Sequence, residues 1–166
     1  MNLLFISQGE EAVSSSDDTI ISTVLGSCVS ICLWDAEGGF GGMNHLLLPD
    51  LVSDSDAVNS VGAIAMERLI NLMVREGADR RRLRAKLFGG GSMLSGLTDI
   101  GARNAEFANT YLLREAIPCE AESTGGHRAR RIRFWPKTGR VRQRFVGQAP
   151  DLKPIEEPEL HGVEML

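Results

Sequence analysis

The stretch Ile20-Ile-Ser-Thr-Val-Leu-Gly-Ser-Cys-Val-Ser-Ile-Cys-Leu-Trp34 decides the fold. Val29, Ile31 and Leu33 alternate with Cys28, Ser30, Cys32 and Trp34, the two-residue period of a strand with two unlike faces. Gly26 and Ser27 break the run into two strands. Asp35-Ala-Glu-Gly-Gly39 follows as turn material, and Phe40 to Leu48 reads as a return strand stopped by Pro49. A four-residue loop over Asp35–Gly38 sets Trp34 opposite Gly39 and Cys28 opposite His45. Their β-carbons would then lie about 5 Å apart on one face. A register change of two residues keeps the pair on that face as diagonal neighbours, whereas a slip of one separates them.

Working outward, Asp56 to Glu76 is the strongest helix. Val58, Val61, Ala65, Leu69 and Leu72 recur at helical spacing, Asp54 or Asp56 stands ready to cap it, and Gly77 ends it. Leu83 to Phe88 reads as a strand entering the Gly89-Gly90-Gly91 turn. A second helix is expected over Asn104 to Ala116, with Asn104 at its cap, and a strand near Cys119 to Ser123. Arg130–Trp135 and Arg140–Val146 form a hairpin around Pro136-Lys-Thr-Gly139. Two helices against many mostly antiparallel strands make an α/β (α+β) layered fold, a single domain over residues 1–148. Residues 149–166 are Pro-rich and acidic without periodicity, so a flexible tail is expected there.

Composition narrows the class. The chain has 166 residues, 43% hydrophobic and 24% charged, enough for one well-filled core. A net charge of -4 gives no overall pull toward nucleic acid. The apolar start Met1–Ile6 is short, lacks a basic flank, and is not read as a targeting segment. No continuous apolar run reaches membrane-spanning length, so no membrane insertion is expected. Three cysteines do not make a disulfide framework; a reduced, cytoplasmic location follows as the expectation. One of the three is then available for chemistry and the other two read as small buried hydrophobes. Residues 128–144 hold eight of the 18 Lys+Arg, interleaved with Phe134 and Trp135. That run is either the wet face of a hairpin, a nucleic-acid strip, or a basic face toward acidic partner helices.

A cysteine facing a histidine across a hairpin suits nucleophilic catalysis, because a thiol needs a neighbouring imidazole to attack efficiently near neutrality. Cys28 is the candidate nucleophile and His45 its base. Backbone N–H groups at Gly26-Ser27-Cys28 are candidates for holding an oxyanion, which puts Ser27 among the binding residues. A third group orients the imidazole in such sites, and Ser22 and Thr23 are the nearest candidates. Asn44 adjoins His45 but faces the other way. The glycines of 89–91 and 125–126, with Asn104 and Thr124, are candidate groove-lining positions; turn geometry and helix capping explain them equally well. Zinc is disfavoured, and no cofactor is expected: Cys28 and Cys32 would lie about 13 Å apart along one strand, too far for one ion.

The motifs Thr23-Val-Leu-Gly-Ser-Cys-Val-Ser-Ile-Cys-Leu-Trp-Asp35 and Gly42-Met-Asn-His-Leu-Leu-Leu-Pro49 resemble those of the CheD family. So do Ala85-Lys-Leu-Phe-Gly-Gly-Gly-Ser-Met93, Ile100-Gly-Ala-Arg-Asn104 and Thr124-Gly-Gly-His-Arg-Ala-Arg130. The resemblance implies deamidation of glutamine side chains on methyl-accepting chemotaxis receptors, with Cys28 as nucleophile and His45 as base. The family's third member is a threonine six residues before the cysteine. That position here is Ser22, which keeps the hydroxyl, and Thr23 is the alternative. The resemblance also implies an α-β-β sandwich like the cytotoxic necrotising factor catalytic fold. It implies receptor cytoplasmic helices as substrate and a CheC-type phosphatase as partner. A different class of function, a weakly catalytic CheD-like binding module, is the alternative.

Overall fold

In this computed structural model, residues 1–49, 55–93, 99–147 and 163–166 are described. In chain order the strands and helices are β1 (Asn2–Phe5), β2 (Glu11–Ser14), β3 (Thr19–Leu25), β4 (Val29–Asp35), β5 (Phe40–Asn44), α1 (Ser55–Glu76), β6 (Arg84–Gly89), α2 (Ile100–Arg114), β7 (Cys119–Thr124), β8 (Ala129–Trp135), β9 (Arg140–Val146) and β10 (Val163–Met165). One sheet has the order β1-β3-β8-β9-β10 and the other β2-β5-β4-β6-β7. Pairing is antiparallel except for β1 with β3 and β6 with β7.

The alternation in β4 reports both of its neighbours. Val29, Ile31 and Leu33 join Met66, Leu69, Ile70 and Met73 of α1 and Ala108, Tyr111 and Leu112 of α2 in one core. Cys28, Cys32 and Trp34 join Ile21, Leu25, Ile132, Phe134 and Val141 of the other sheet in a second core. Every residue of β4 is therefore buried, and the layers run helix, sheet, sheet. Each fully buried Ile or Leu contributes about 1.5–3 kcal/mol of transfer free energy. Among the described residues, α1 is the one helix with the length and apolar content to cross a bilayer. Its Met66–Leu69–Ile70–Met73 face is instead packed on a sheet.

Several boundaries differ from the sequence expectation. The second helix begins at Ile100, with Asp99 as its N-cap accepting from the Ala102 N–H at 2.9 Å, so Asn104 is interior and caps nothing. Gly101 makes the early start possible: a Cβ there would stand 2.3 Å from the Gly91 carbonyl oxygen. Cys119, expected in the core, is exposed, while Cys32 is buried. Of the expected flexible tail, residues 149–162 lie outside the described residues, as does Asp54, one of the two proposed caps. At the chain's end Val163–Met165 pairs with β9, and Leu166 exchanges backbone hydrogen bonds with Val141.

Candidate active site

Cys28 belongs to the core between the two sheets, and His45, just beyond β5, reaches Thr23 of the facing sheet. Cys28 follows the bend that carries the chain from β3 in one sheet to β4 in the other. Three carbonyls of that bend are pinned from behind. Gly91 N–H donates to Gly26 O at 2.9 Å, Asn104 Nδ2 to Ser27 O at 2.9 Å, and Gly90 N–H to Cys28 O at 2.8 Å. Only glycine fits this support: Gly89 has φ +107°, and a Cβ there would meet the Cys28 carbonyl oxygen at 2.2 Å. The N–H groups of Ser27 and Cys28 have no backbone acceptor among the described residues.

The hairpin register is shifted two residues from the expected one. Trp34 faces Gly41 and Asp35 faces Phe40, so the loop is Ala36–Gly39 and Cys28 and His45 are diagonal neighbours. The ladder between β4 and β5 then opens locally. Regular pairing stops at Cys32 with Met43 and resumes as a single bridge between Val29 and Leu46. Asn44 fills the gap with its side chain, Oδ1 accepting the Ile31 N–H at 3.0 Å and Nδ2 donating to Met66 Sδ at 3.4 Å. His45 turns its backbone toward the approach to β2, its N–H donating to Glu10 O at 3.1 Å and its carbonyl accepting from Gly9 N–H at 2.9 Å.

The imidazole meets Thr23. Thr23 Oγ1 lies 2.7 Å from His45 Nδ1 and 2.8 Å from Ile6 O. A carbonyl oxygen only accepts, so the single hydroxyl proton goes to Ile6 O. The contact to Nδ1 must then be Nδ1–H donating to Thr23 Oγ1. This fixes the tautomer with the Nε2 lone pair free. Ser22 does not share this position. Thr23 faces inward with Ile21 and Leu25, and Ser22 faces the outer side of the same sheet, paired with Arg133 and Phe5. The hydroxyl on His45 therefore belongs to Thr23 in this structure, and the favoured assignment to Ser22 is corrected by strand parity.

Both groups are largely withdrawn from water, each with 8% of its surface exposed. Burial pushes the Cys28 thiol above its ordinary value and the His45 imidazole below its own. The resting pair is thus neutral thiol and neutral imidazole near neutral pH. A surface cavity of about 220 Å³ borders His45, lined by Gly9, Glu10, Leu46, Leu47, Val61 and Ile64 among others; Cys28 is not part of its wall.

The remaining candidates divide. Ser27 is half-buried at the bend. Asn104 is fully buried, accepting Leu48 N–H at 3.0 Å as well as donating to Ser27 O, so it braces the bend against the chain leaving His45 and cannot line a groove. Thr124 ends β7 beside Gly89, and its hydroxyl bonds Glu122 at 3.1 Å. Asn44, Ile6 and the support from Gly90 and Gly91 were not foreseen; only the glycine run carried a sequence signal.

Comparison with known proteins adds the following. The family model described as CheD chemotactic sensory transduction matches residues 47–145, starting just beyond His45. A Caulobacter sp. (strain K31) protein named probable chemoreceptor glutamine deamidase CheD is 52% identical over 91% of this chain and 80% of its own. Proteins of the same name from Cereibacter sphaeroides (47% identical, 96% of this chain and 79% of theirs) and Acidiphilium cryptum (44%, 95% and 89%) are also similar. A crystal structure of a Neisseria meningitidis protein of the DUF152 family aligns at TM-score 0.46 and 11% identity, over 76% of this chain and 63% of that one.

Proposed function

The chain belongs to the CheD family, and on that premise we propose that it hydrolyses glutamine side chains of chemoreceptors to glutamate, with Cys28 as nucleophile and His45 as base. The observation that carries the chemistry is the Ile6–Thr23–His45 chain of hydrogen bonds, which holds Nδ1 protonated and leaves Nε2 basic on the shared face with Cys28. Nε2 takes the thiol proton as sulfur attacks the amide carbon, forming a C–S bond while the carbonyl π pair moves to oxygen. In this reading the Ser27 and Cys28 N–H groups receive that oxyanion. Its collapse breaks the C–N bond, and the imidazolium gives its proton to the departing ammonia. A water deprotonated by the same imidazole then attacks the thioester, returning the thiol and leaving glutamate.

Burial supports this order of events. Because the resting pair is neutral, the proton moves during attack instead of before it. The cytoplasm, where a free thiol persists, is the proposed location. The family resemblance supports a CheC-type phosphatase as a further partner at the same face. The test is mass spectrometry of a chemoreceptor cytoplasmic fragment after incubation. The wild type should convert specific glutamines and Cys28→Ala none, with Cys32→Ala and Cys119→Ala retaining turnover. Conversion by Cys28→Ala would end this mechanism.

A further inference from the structure

The outer face of the β1-β3-β8-β9-β10 sheet carries a charge arrangement that folding alone disfavours. Arg131 lies directly opposite Arg144, and Arg133 directly opposite Arg142, across the β8–β9 ladder. All four side chains are exposed, while their neighbours Ile132, Phe134, Val141 and Gln143 point inward. Like charges at directly opposed positions destabilise a sheet. No ion pair relieves these four arginines among the described residues. Beside them, on the same face, Val24 pairs with Arg131 and Phe5 pairs with Ser22. Val24 is 46% exposed and Phe5 71% exposed, so apolar surface flanks the basic square.

We propose that this face is a docking surface for an acidic, amphipathic helix of the polypeptide substrate, separate from the catalytic pair on the inner side of the sheet. The inference rests on the deamidase reading for the identity of that polypeptide. Charge selects the sign of the partner, and the adjoining Phe5 and Val24 select one with an apolar stripe beside its carboxylates. Spacing selects a helix. Arginines two apart on a strand repeat at about 6.7 Å, and carboxylates four apart on a helix repeat at about 6 Å. A nucleic acid fits less well, because the chain as a whole carries a net charge of -4 and the patch offers exposed apolar surface.

The test exploits the opposed effects on folding and docking. The double variant R133E/R144E turns both like-charge pairs into Arg–Glu pairs, so its melting temperature should rise, by about 2 °C or more. Its KM for a chemoreceptor cytoplasmic fragment should rise about tenfold or more at low ionic strength, converging with wild type in high salt. Turnover of a short glutamine peptide lacking acidic flanks should stay unchanged. R133Q/R144Q should show the same KM trend at smaller amplitude. A KM within twofold of wild type at low salt overturns the proposal. So does a fall in melting temperature, which would mean that carboxylates of this chain already neutralise the arginines. Loss of duplex DNA binding with KM unchanged would assign the face to nucleic acid instead. Failure of the deamidase reading is distinguished by Cys28→Ala: if that variant still converts the fragment, the mechanism falls, while direct binding of the fragment to the Cys28→Ala protein with either surface still reads the docking.

Discussion

Replacing Thr23 by valine removes one oxygen and nearly preserves shape, which isolates what the hydroxyl does. Two bonds go: His45 Nδ1–H loses its acceptor at 2.7 Å, and Ile6 O loses its donor at 2.8 Å. The imidazole becomes a cation during attack, so the lost bond is one to a developing charge, worth about 1.5–3 kcal/mol. At about 1.4 kcal/mol per decade, kcat should fall roughly ten- to a hundredfold. Leaving Ile6 O unpaired costs about 1–3 kcal/mol of stability, so rates must be compared per folded molecule. The assay is ammonia release from a chemoreceptor cytoplasmic fragment, with folding followed by circular dichroism. Thr23→Ser keeps the hydroxyl and should stay near wild type. Ser22→Ala should stay within about twofold, because Ser22 faces away from the imidazole. The reasoning is refuted if Thr23→Val turns over normally, or if Ser22→Ala loses tenfold while Thr23→Val does not.

Three further outcomes follow from the same geometry. The pH profile of kcat/KM should have its acid limb below the ordinary imidazole value of 6.5, because buried His45 resists protonation, and its alkaline limb above the ordinary thiol value of 9.0; an acid limb at or above 6.5 contradicts the burial argument. Asn104→Ala should lower kcat about tenfold or more with little change in KM, since it frees the Ser27 carbonyl and Leu48 N–H and lets the bend drift relative to His45; an unchanged kcat per folded molecule would show that the glycine support suffices. Asp35, held to about 2 chiefly by its hydrogen bonds to the Arg82 guanidinium, has a folded value below the ordinary 3.8, so its stabilisation is full above pH 4–5 and is lost as pH falls through about 2. Asp35→Asn should remove roughly 2–3 kcal/mol at neutral pH and flatten the acid limb of stability, read from urea midpoints against pH.

How much of this was legible in the sequence depends on whether a decision was local. The alternation of Val29, Ile31 and Leu33 with Cys28, Cys32 and Trp34 named both faces of β4 correctly, since each face packs against its own layer. The sequence pattern puts the loop one residue early because Asp35 reads as a turn former. In the structure it ends the strand, its carboxylate buried and held by Arg82, the Gly38 N–H and the Asp79 N–H. Two of those partners lie more than forty residues away. The resulting two-residue shift moves Cys28 and His45 from opposite to diagonal positions and leaves them on one face of the sheet.

Ser22 and Thr23 show where pattern runs out. Parity along β3 decides which hydroxyl reaches the inner face, and Ile20 and Ile21 are both apolar and both buried, so no alternation marks that parity. It is set by Ile21 and Leu25 packing into the inter-sheet core and by β8 pairing on the other side. His45 was harder still. An unbroken strand through residue 48 would have spent its backbone on the β4 ladder. Asn44 instead supplies a side-chain oxygen where a backbone carbonyl would stand, and the approach to β2, a stretch with no strand pattern, takes the His45 backbone groups. The histidine is thereby held from both sides without using its ring. Nδ1 is left for Thr23, Nε2 carries the free lone pair, and that freedom of the ring comes from the break in the ladder beside it.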